Sequence, residues 1–506
     1  MLPFNRLADR AGGRNLQEGK KPGPIAPPYW PLAAVVPTVV GALWLWWAAQ
    51  SGAMGALLGG LPGTLLLATG LSNLLWAGDA RIFHFMSLGA LLGILFAFPS
   101  VAVFGPVAAA ALLVLSAVSF VAAGHLAVGQ ELVPEGVPQP GMGPGMAVRA
   151  AEDELSMCTI VLTTWPLSVG GRAARIGREL EEGLALFEER GWLEEPTVYH
   201  RTPPPIEELR GGNRRHPEDG FEHLTFESSY EPWAGEPGRD RWLSYERNRT
   251  AHAWVLRHQG EPRPWLVCMH GIRMGSPRAD LGFFRPDYLH RELGLNLLCP
   301  VLPIHGPRRV GPVSGDRILS GDVMDSLHAA SQAMWDARRL ILWLRHHEGA
   351  TAVAVTGHSL GGYAAALLLC LEQVDCVVVA NPAVDPSRLF WRNALSLATR
   401  YLNTAGVTEE KMSALLHPIS PLALDPLVGR ERRAIFAGVA DRVVPATEAD
   451  SLWRHWEEPR IAWYQGTHHA FLGTAEGRKL IATALREAGI VSPEAAHRAW
   501  PRESGR

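Results

Sequence analysis

From Trp30 to Val128 the chain carries only two charged residues, Asp79 and Arg81, whereas the sequence on either side is rich in both signs of charge. A hydrocarbon core about 30 Å thick is crossed by roughly 20 apolar residues of helix, because lipid leaves every backbone N–H and C=O to be satisfied within its own segment. The stretch has room for about four spans, expected near 30–50, 53–76, 82–98 and 104–127. The separators QSGAMG, WAGDAR, FPS and Gly105-Pro106 have turn or helix-end chemistry. Trp30, Trp44, Trp46, Trp47 and Trp76 fall near expected span ends, where an amphipathic indole favours the headgroup zone.

Residues 1–29 are polar and Pro-rich, with Arg6, Arg10, Arg14, Lys20 and Lys21 against Asp9 and Glu18. Basic residues thus precede the first span and recur at Arg81 between the second and third, which orients the N-terminus toward the cytoplasm. An even number of spans returns the chain there, so the expectation is an integral, multi-pass membrane protein whose second part is cytoplasmic. The first apolar run begins far from the N-terminus and others follow, unlike a cleaved signal peptide. His84 and His125 read as interfacial side chains rather than proton or ligand groups.

The formal charge of -3 and the interleaving of Lys and Arg with acids argue against a nucleic-acid partner. Five cysteines, Cys158, Cys268, Cys299, Cys370 and Cys376, sit largely in apolar runs with no CxxC or Cys/His cluster, which fits reduced, buried thiols. No metal or cofactor is expected.

Residues 129–221 read as a linker followed by an amphipathic helix. The Gly- and Pro-rich stretch 129–149 is the linker, and Ile176, Leu180, Leu184 and Phe187 recur at helical spacing within 171–190. That helix is expected on the catalytic domain or on the membrane surface; Pro203 to Gly220 reads as a loop. The sequon at Asn248 is incidental if this part is cytoplasmic.

A domain of alternating strands and helices is expected over 222–490, with a tail at 491–506. HLTFES and AHAWVLR lead, and WLVCMHG, NLLCPVLP, AVAVTGHS, DCVVVANPA, AIFAGVA and IAWYQG follow. Continuous apolar runs suit strands covered on both faces, hence a mostly parallel sheet flanked by helices, of class α/β. The segment 324–346, with Leu327, Ala330, Met334, Ala337, Ile341 and Leu344 on one face, fits a crossover helix.

Gly357-His358-Ser359-Leu360-Gly361 lies directly between such a strand and a helix-like run. A serine in a sharp strand-to-helix turn needs small neighbours, and the turn lifts its hydroxyl above the sheet. Activation requires a base to take its proton and an acid to hold that base. Asp441 follows the strand AIFAGVA and His468 the strand IAWYQG. Asp385, after NPA, is an alternative acid, and His469 an alternative base.

With the elbow at Ser359, a strand-end acid at Asp441 and Gly466-x-His468, the chain from about 222 to 490 resembles the α/β-hydrolase superfamily. The resemblance implies an α/β-hydrolase fold and an oxyanion hole formed by the backbone N–H groups of Leu360 and Ile272, with His270 and Gly271 shaping the second turn. It also implies acyl hydrolysis through an acyl-enzyme. Residues 384–430 are expected to form a short helical lid, with Leu389, Phe390 and Trp391 available to line an acyl pocket, or else an insertion without substrate contact.

In the loop after NLLCPV, Arg308 or Arg309 is expected to recognise an anionic headgroup, the alternatives being pairing with Asp316, Asp322 or Asp325 to hold the loop, or simply facing water. The combined expectation is a membrane-anchored serine hydrolase acting on an ester or related acyl bond of a lipid-like substrate, with the bilayer as partner. A peptidase or acyltransferase on the same three residues, or a non-catalytic membrane scaffold or sensor, is the alternative.

Overall fold

The computed structural model describes residues 30–76, 78–211 and 220–493. The basic segment 1–29 and the tail from 494 onward lie outside the described residues.

Four helices, α1 (Trp30–Gln50), α2 (Gly52–Leu75), α3 (Ala80–Phe104) and α4 (Pro106–Gly129), are each long and apolar enough to cross a membrane. The third runs past the expected end near 98 with Pro99 inside it, since neighbouring helices can satisfy the backbone group that a proline frees. Trp44 is not interfacial. It fills the bundle core, donates from Nε1 to Ser116 Oγ at 3.0 Å and packs edge-on against Phe104. Trp76, in contrast, is exposed at the end of α2. Gln130 Oε1 accepts from Gly78 N at 2.8 Å, tying the α2–α3 turn to the end of α4 on one side of the bundle.

A helix, α5 (Pro144–Thr164), begins inside the stretch expected to be linker, because Pro144 occupies a first-turn position where its missing N–H costs nothing. It packs closely on α4: a Cβ at Gly124 would lie 1.8 Å from the Ala147 carbonyl, so only glycine permits this approach. The amphipathic helix α6 (Gly171–Glu189) puts Ile176, Leu180 and Phe187 into the main core, so it packs on the sheet domain, one of its two expected places.

The sheet contains β1 (Glu222–Glu227), β2 (Thr250–Leu256), β3 (Trp265–Met269), β4 (Asn296–Pro300), β5 (Val353–His358), β6 (Cys376–Ala380), β7 (Arg433–Gly438) and β8 (Arg460–Tyr464). Their order is β1-β2-β4-β3-β5-β6-β7-β8; β2 runs antiparallel to both of its neighbours, β1 and β4, and the remaining neighbours are parallel. Strands β3 to β7 are buried throughout, as their unbroken apolar runs require. This strand order, with the strand-to-helix turn after β5, is the α/β-hydrolase fold.

The helices around the sheet are α7 (Arg239–Leu243), α8 (Pro277–Phe283), α9 (Val323–His346), α10 (Leu360–Leu368), α11 (Pro386–Asn393), α12 (Ser396–Thr404), α13 (Glu409–Leu415), α14 (Ala446–His455) and α15 (Ala475–Glu487). Leu327, Met334 and Ile341 of α9 pack against the face bearing Val267, Val355 and Val379, while Ile481 and Leu485 of α15 pack against Leu266, Val378 and Phe436 on the other. All five cysteines are free and buried. The chain leaves β3 for β4 on one side and reaches β5 on the other, so the carboxyl ends of β3 and β5 open at a topological switch point, where α/β sheets bind ligands.

Candidate active site

Ser359 follows β5 with φ 58° and ψ -119°, a conformation that costs a non-glycine residue about 1–3 kcal/mol. The turn is held by Ser359 N donating to Ala380 O at 2.9 Å and Tyr363 N to Ser359 O at 3.0 Å. Side chains are excluded on both flanks. A Cβ at Gly357 would lie 2.0 Å from Gly361 O, and one at Gly361 would lie 1.9 Å from Met269 O.

Because Met269 pairs with Gly357, the turn His270-Gly271-Ile272 emerges beside the serine. His270 is enclosed and its Nε2 accepts from Leu302 N at 3.0 Å, which fixes the turn. Leu360 opens α10, where the first N–H groups have no partner within the helix. Ile272, Ser359 and Leu360 line one cavity.

Asp441 and His468 come from the ends of β7 and β8. Asp441 Oδ1 accepts from Val443 N at 2.9 Å and Val444 N at 2.7 Å, and its Oδ2 lies 2.7 Å from His468 Nδ1. The His468 carbonyl accepts from Asn381 Nδ2 at 2.8 Å and stands 2.7 Å from His358 Nε2, while Asn381 Oδ1 accepts from Gly438 N at 2.9 Å. Asn381 therefore ties the end of β7 to the loop of His468. Burial holds the His468 imidazole well below its ordinary value, which keeps it uncharged and able to take a proton. The same burial pushes the Asp441 carboxyl up, against the two N–H bonds that favour its anion.

The alternatives stand elsewhere. His469 is exposed, with Nε2 3.4 Å from Ser156 Oγ. Asp385 caps α11 by accepting from Arg388 N at 3.0 Å, and its own N–H goes to Glu448 at 2.7 Å.

The cavity at Ser359 has an empty volume of about 1100 Å³, open solvent at its mouth included, between α9, α10 and the helices α11 and α13. Leu389, Phe390 and Met412 of those helices line it, as do Ala330, Ala333 and Met334 of α9. Trp391 is not among the lining residues and packs at the edge of the main core instead.

Arg308 does not reach the cavity. It is fully enclosed, donating to the carbonyls of Val301 at 3.0 Å and Asn248 at 2.9 Å and pairing with Asp336 at 2.9 Å. That is the structural role weighed against headgroup recognition, although with a different acid from the three proposed. Arg309 is exposed and also outside the cavity lining. The sequon residue Asn248 is itself buried, donating to Gln332 at 2.7 Å.

Helix α5 was invisible as a contributor. It supplies Met157 and Ile160 to the cavity wall, and Asp153 accepts from His468 N at 3.1 Å. The spacing 153, 157, 160 places these residues on one helical face, which is the signal the sequence holds for them. Asn381 and His358 were also missed; each acts through a backbone carbonyl, a partner that no side-chain motif advertises.

Residues 321–482 match the family model described as "Uncharacterised protein family (UPF0227)". Two proteins of Mycobacterium tuberculosis are similar over a longer stretch. Uncharacterized protein MT2702 of strain CDC 1551 / Oshkosh is 39% identical over 348 residues, covering 68% of this chain and 83% of that protein. Uncharacterized protein Rv2627c of strain H37Rv is 38% identical over 348 residues with the same coverage. Among solved structures, an esterase from the archaeon Pyrobaculum calidifontis aligns at TM-score 0.34 and 16% identity, over 67% of this chain and 98% of its own. The fold rests on the strand order and the Ser359 turn rather than on that alignment. By the extent of the two mycobacterial matches, this chain belongs to the same family as those proteins, and it carries an α/β-hydrolase fold behind four apolar helices.

Proposed function

We propose that the protein is a membrane-anchored serine hydrolase that cleaves an ester or related acyl bond of a hydrophobic substrate. His468 takes the proton of Ser359 as the hydroxyl oxygen attacks the acyl carbonyl, and Asp441 holds the imidazole with its proton on Nδ1. The N–H groups of Leu360 and Ile272 receive the developing oxyanion; losing one such donor typically costs about 100- to 1000-fold in rate. His468 then protonates the leaving group. Water, giving a proton to His468, attacks the acyl-enzyme, and the acid departs as the proton returns to Ser359.

The observation that carries this reading is the strained Ser359 turn opening on an apolar cavity, with the bonded Asp441 and His468 at neighbouring strand ends. The cavity's lining favours an acyl chain over a peptide, and four apolar helices favour a substrate drawn from the bilayer. Arg81, in the first turn of α3, donates to Ser396 Oγ at 3.1 Å, which supports a hydrolase domain on the side of that basic helix end, the cytoplasmic side.

A series of p-nitrophenyl esters assayed with the full-length protein tests the proposal. A buried methylene contributes about 0.8 kcal/mol, so kcat/KM is expected to rise about fourfold per added carbon until the cavity is filled. Turnover independent of chain length would remove the hydrophobic-substrate reading, and equal turnover by Ser359→Ala would remove the hydrolase reading.

A further inference from the structure

The loops bearing Asp441 and His468 are held from outside the hydrolase domain. Asp153 of α5, 1% exposed, presents one carboxylate oxygen to two backbone N–H groups, Arg442 N at 3.0 Å and His468 N at 3.1 Å. One of these belongs to the base itself and the other to the residue directly after the acid. They lie on loops following different strands, so a single oxygen sets the spacing between acid and base.

Asp153 is in turn fixed by the spans. Its neighbour Glu154 accepts from Arg442 Nε at 2.7 Å through one oxygen and lies 2.5 Å from His84 Nδ1 of α3 through the other. Glu131, just beyond α4, binds the Arg442 guanidinium as well as Arg392 of α11, the latter at 3.0 Å through Nη1. His84 is therefore no interfacial side chain: it is 1% exposed, and its Nε2 lies 3.2 Å from Asn393 Oδ1. Buried charges persist only where partners compensate them, and removing one partner strands the rest. The frame therefore works as a unit that includes the membrane helices.

We propose that the membrane region is part of the catalytic device, with Asp153 as a positioning residue that registers His468 against Asp441 and α3 and α4 holding Asp153 in place through Glu154, Glu131 and Arg442. The inference rests on the serine-hydrolase reading. Burial and the neighbouring Asp441 raise the Asp153 carboxyl well above its ordinary range, so its neutral form is favoured and an amide is a close substitute for it.

The test uses full-length protein in nanodiscs, a fluorophosphonate probe and a p-nitrophenyl ester. Absence of labelling and turnover in the wild type would overturn the hydrolase reading and this inference with it. Given an active wild type, Asp153→Ala is expected to lose about 100-fold in kcat with KM changed less than about threefold, because a misplacement of about 1 Å costs that much without altering substrate contacts. Asp153→Asn, which keeps an acceptor for both N–H groups, is expected to restore kcat to within about fivefold of wild type. If the alanine variant does not fold, Asp153→Ser, whose hydroxyl is too short to serve both N–H groups, takes its place with the same expectation. His84→Ala is expected to lower kcat by about tenfold at unchanged KM through the same chain of contacts. Unchanged kcat in the alanine or serine variant at 153, or an equal loss in Asp153→Asn, would overturn the positioning role. Unchanged kcat in His84→Ala would overturn the contribution of the membrane helix.

Discussion

His468 Nδ1 lies 2.7 Å from Asp441 Oδ2, and the other oxygen of that carboxylate is already taken by the N–H groups of Val443 and Val444. The carboxylate cannot turn, so the imidazole must donate from Nδ1 and keep Nε2 as its proton acceptor. In Asp441→Asn the same two N–H groups hold the amide oxygen, which points the NH2 at Nδ1 and forces the wrong tautomer. A loss of roughly 10⁴-fold in kcat is expected, by analogy with other triads of this kind. Asp385→Asn, at a helix cap, should stay within about threefold. Steady-state kinetics of the two variants decide it, and the reverse pattern would reassign the acid.

The pH dependence follows from His468. The base works only when uncharged, and burial sets its pKa below the ordinary 6.5. As pH falls, kcat/KM should stay level through 6.5 and decline only below it. An acid limb centred above that value would mean that the Asp441 anion outweighs burial at the base.

Arg308→Ala should act on stability, not on substrate choice. The variant leaves Asp336 buried without its cation, and breaking a buried pair in this way costs about 3–5 kcal/mol. Thermal melting should fall markedly, while any activity that survives should show the same KM ratio for anionic and neutral esters as the wild type. A selective rise in KM for anionic esters would restore the headgroup role.

Membrane orientation is open to cysteine accessibility. Val107, 82% exposed at the start of α4, and Gln50, at the end of α1, mark one face of the bundle, and Trp76, 67% exposed, marks the other. Cysteines at 50 and 107 should react with an impermeant reagent from outside intact cells, and one at 76 only after permeabilisation. The opposite pattern would invert the protein and place the hydrolase domain outside.

The eight strands and the strand-to-helix turn at Ser359 were legible because each depends on local pattern: β3 to β7 are largely apolar runs, and the glycines around Ser359 are demanded by contacts of about 2 Å. The four apolar helices were legible for the same reason, apart from ends such as Pro99, where a residue that breaks soluble helices is tolerated among packed neighbours. Helix α5 was not, since Gly and Pro at its start imitate a linker. Asp153 and Glu154 look like an ordinary solvated pair, yet their partners lie 289 and 315 residues away for the first and 288 and 70 for the second. Arg308 misled in the opposite direction: in sequence it is a loop cation next to Arg309, and only the fold folds it inward onto Asp336.

The central claim is that Ser359 is the nucleophile, and peptide mass spectrometry of the full-length protein after fluorophosphonate treatment tests it most directly. The account predicts one adduct, on the peptide containing Gly357 to Gly361 and localised to Ser359, which disappears together with ester turnover in Ser359→Ala. An adduct of equal yield on another residue, or undiminished turnover in that variant, would contradict it.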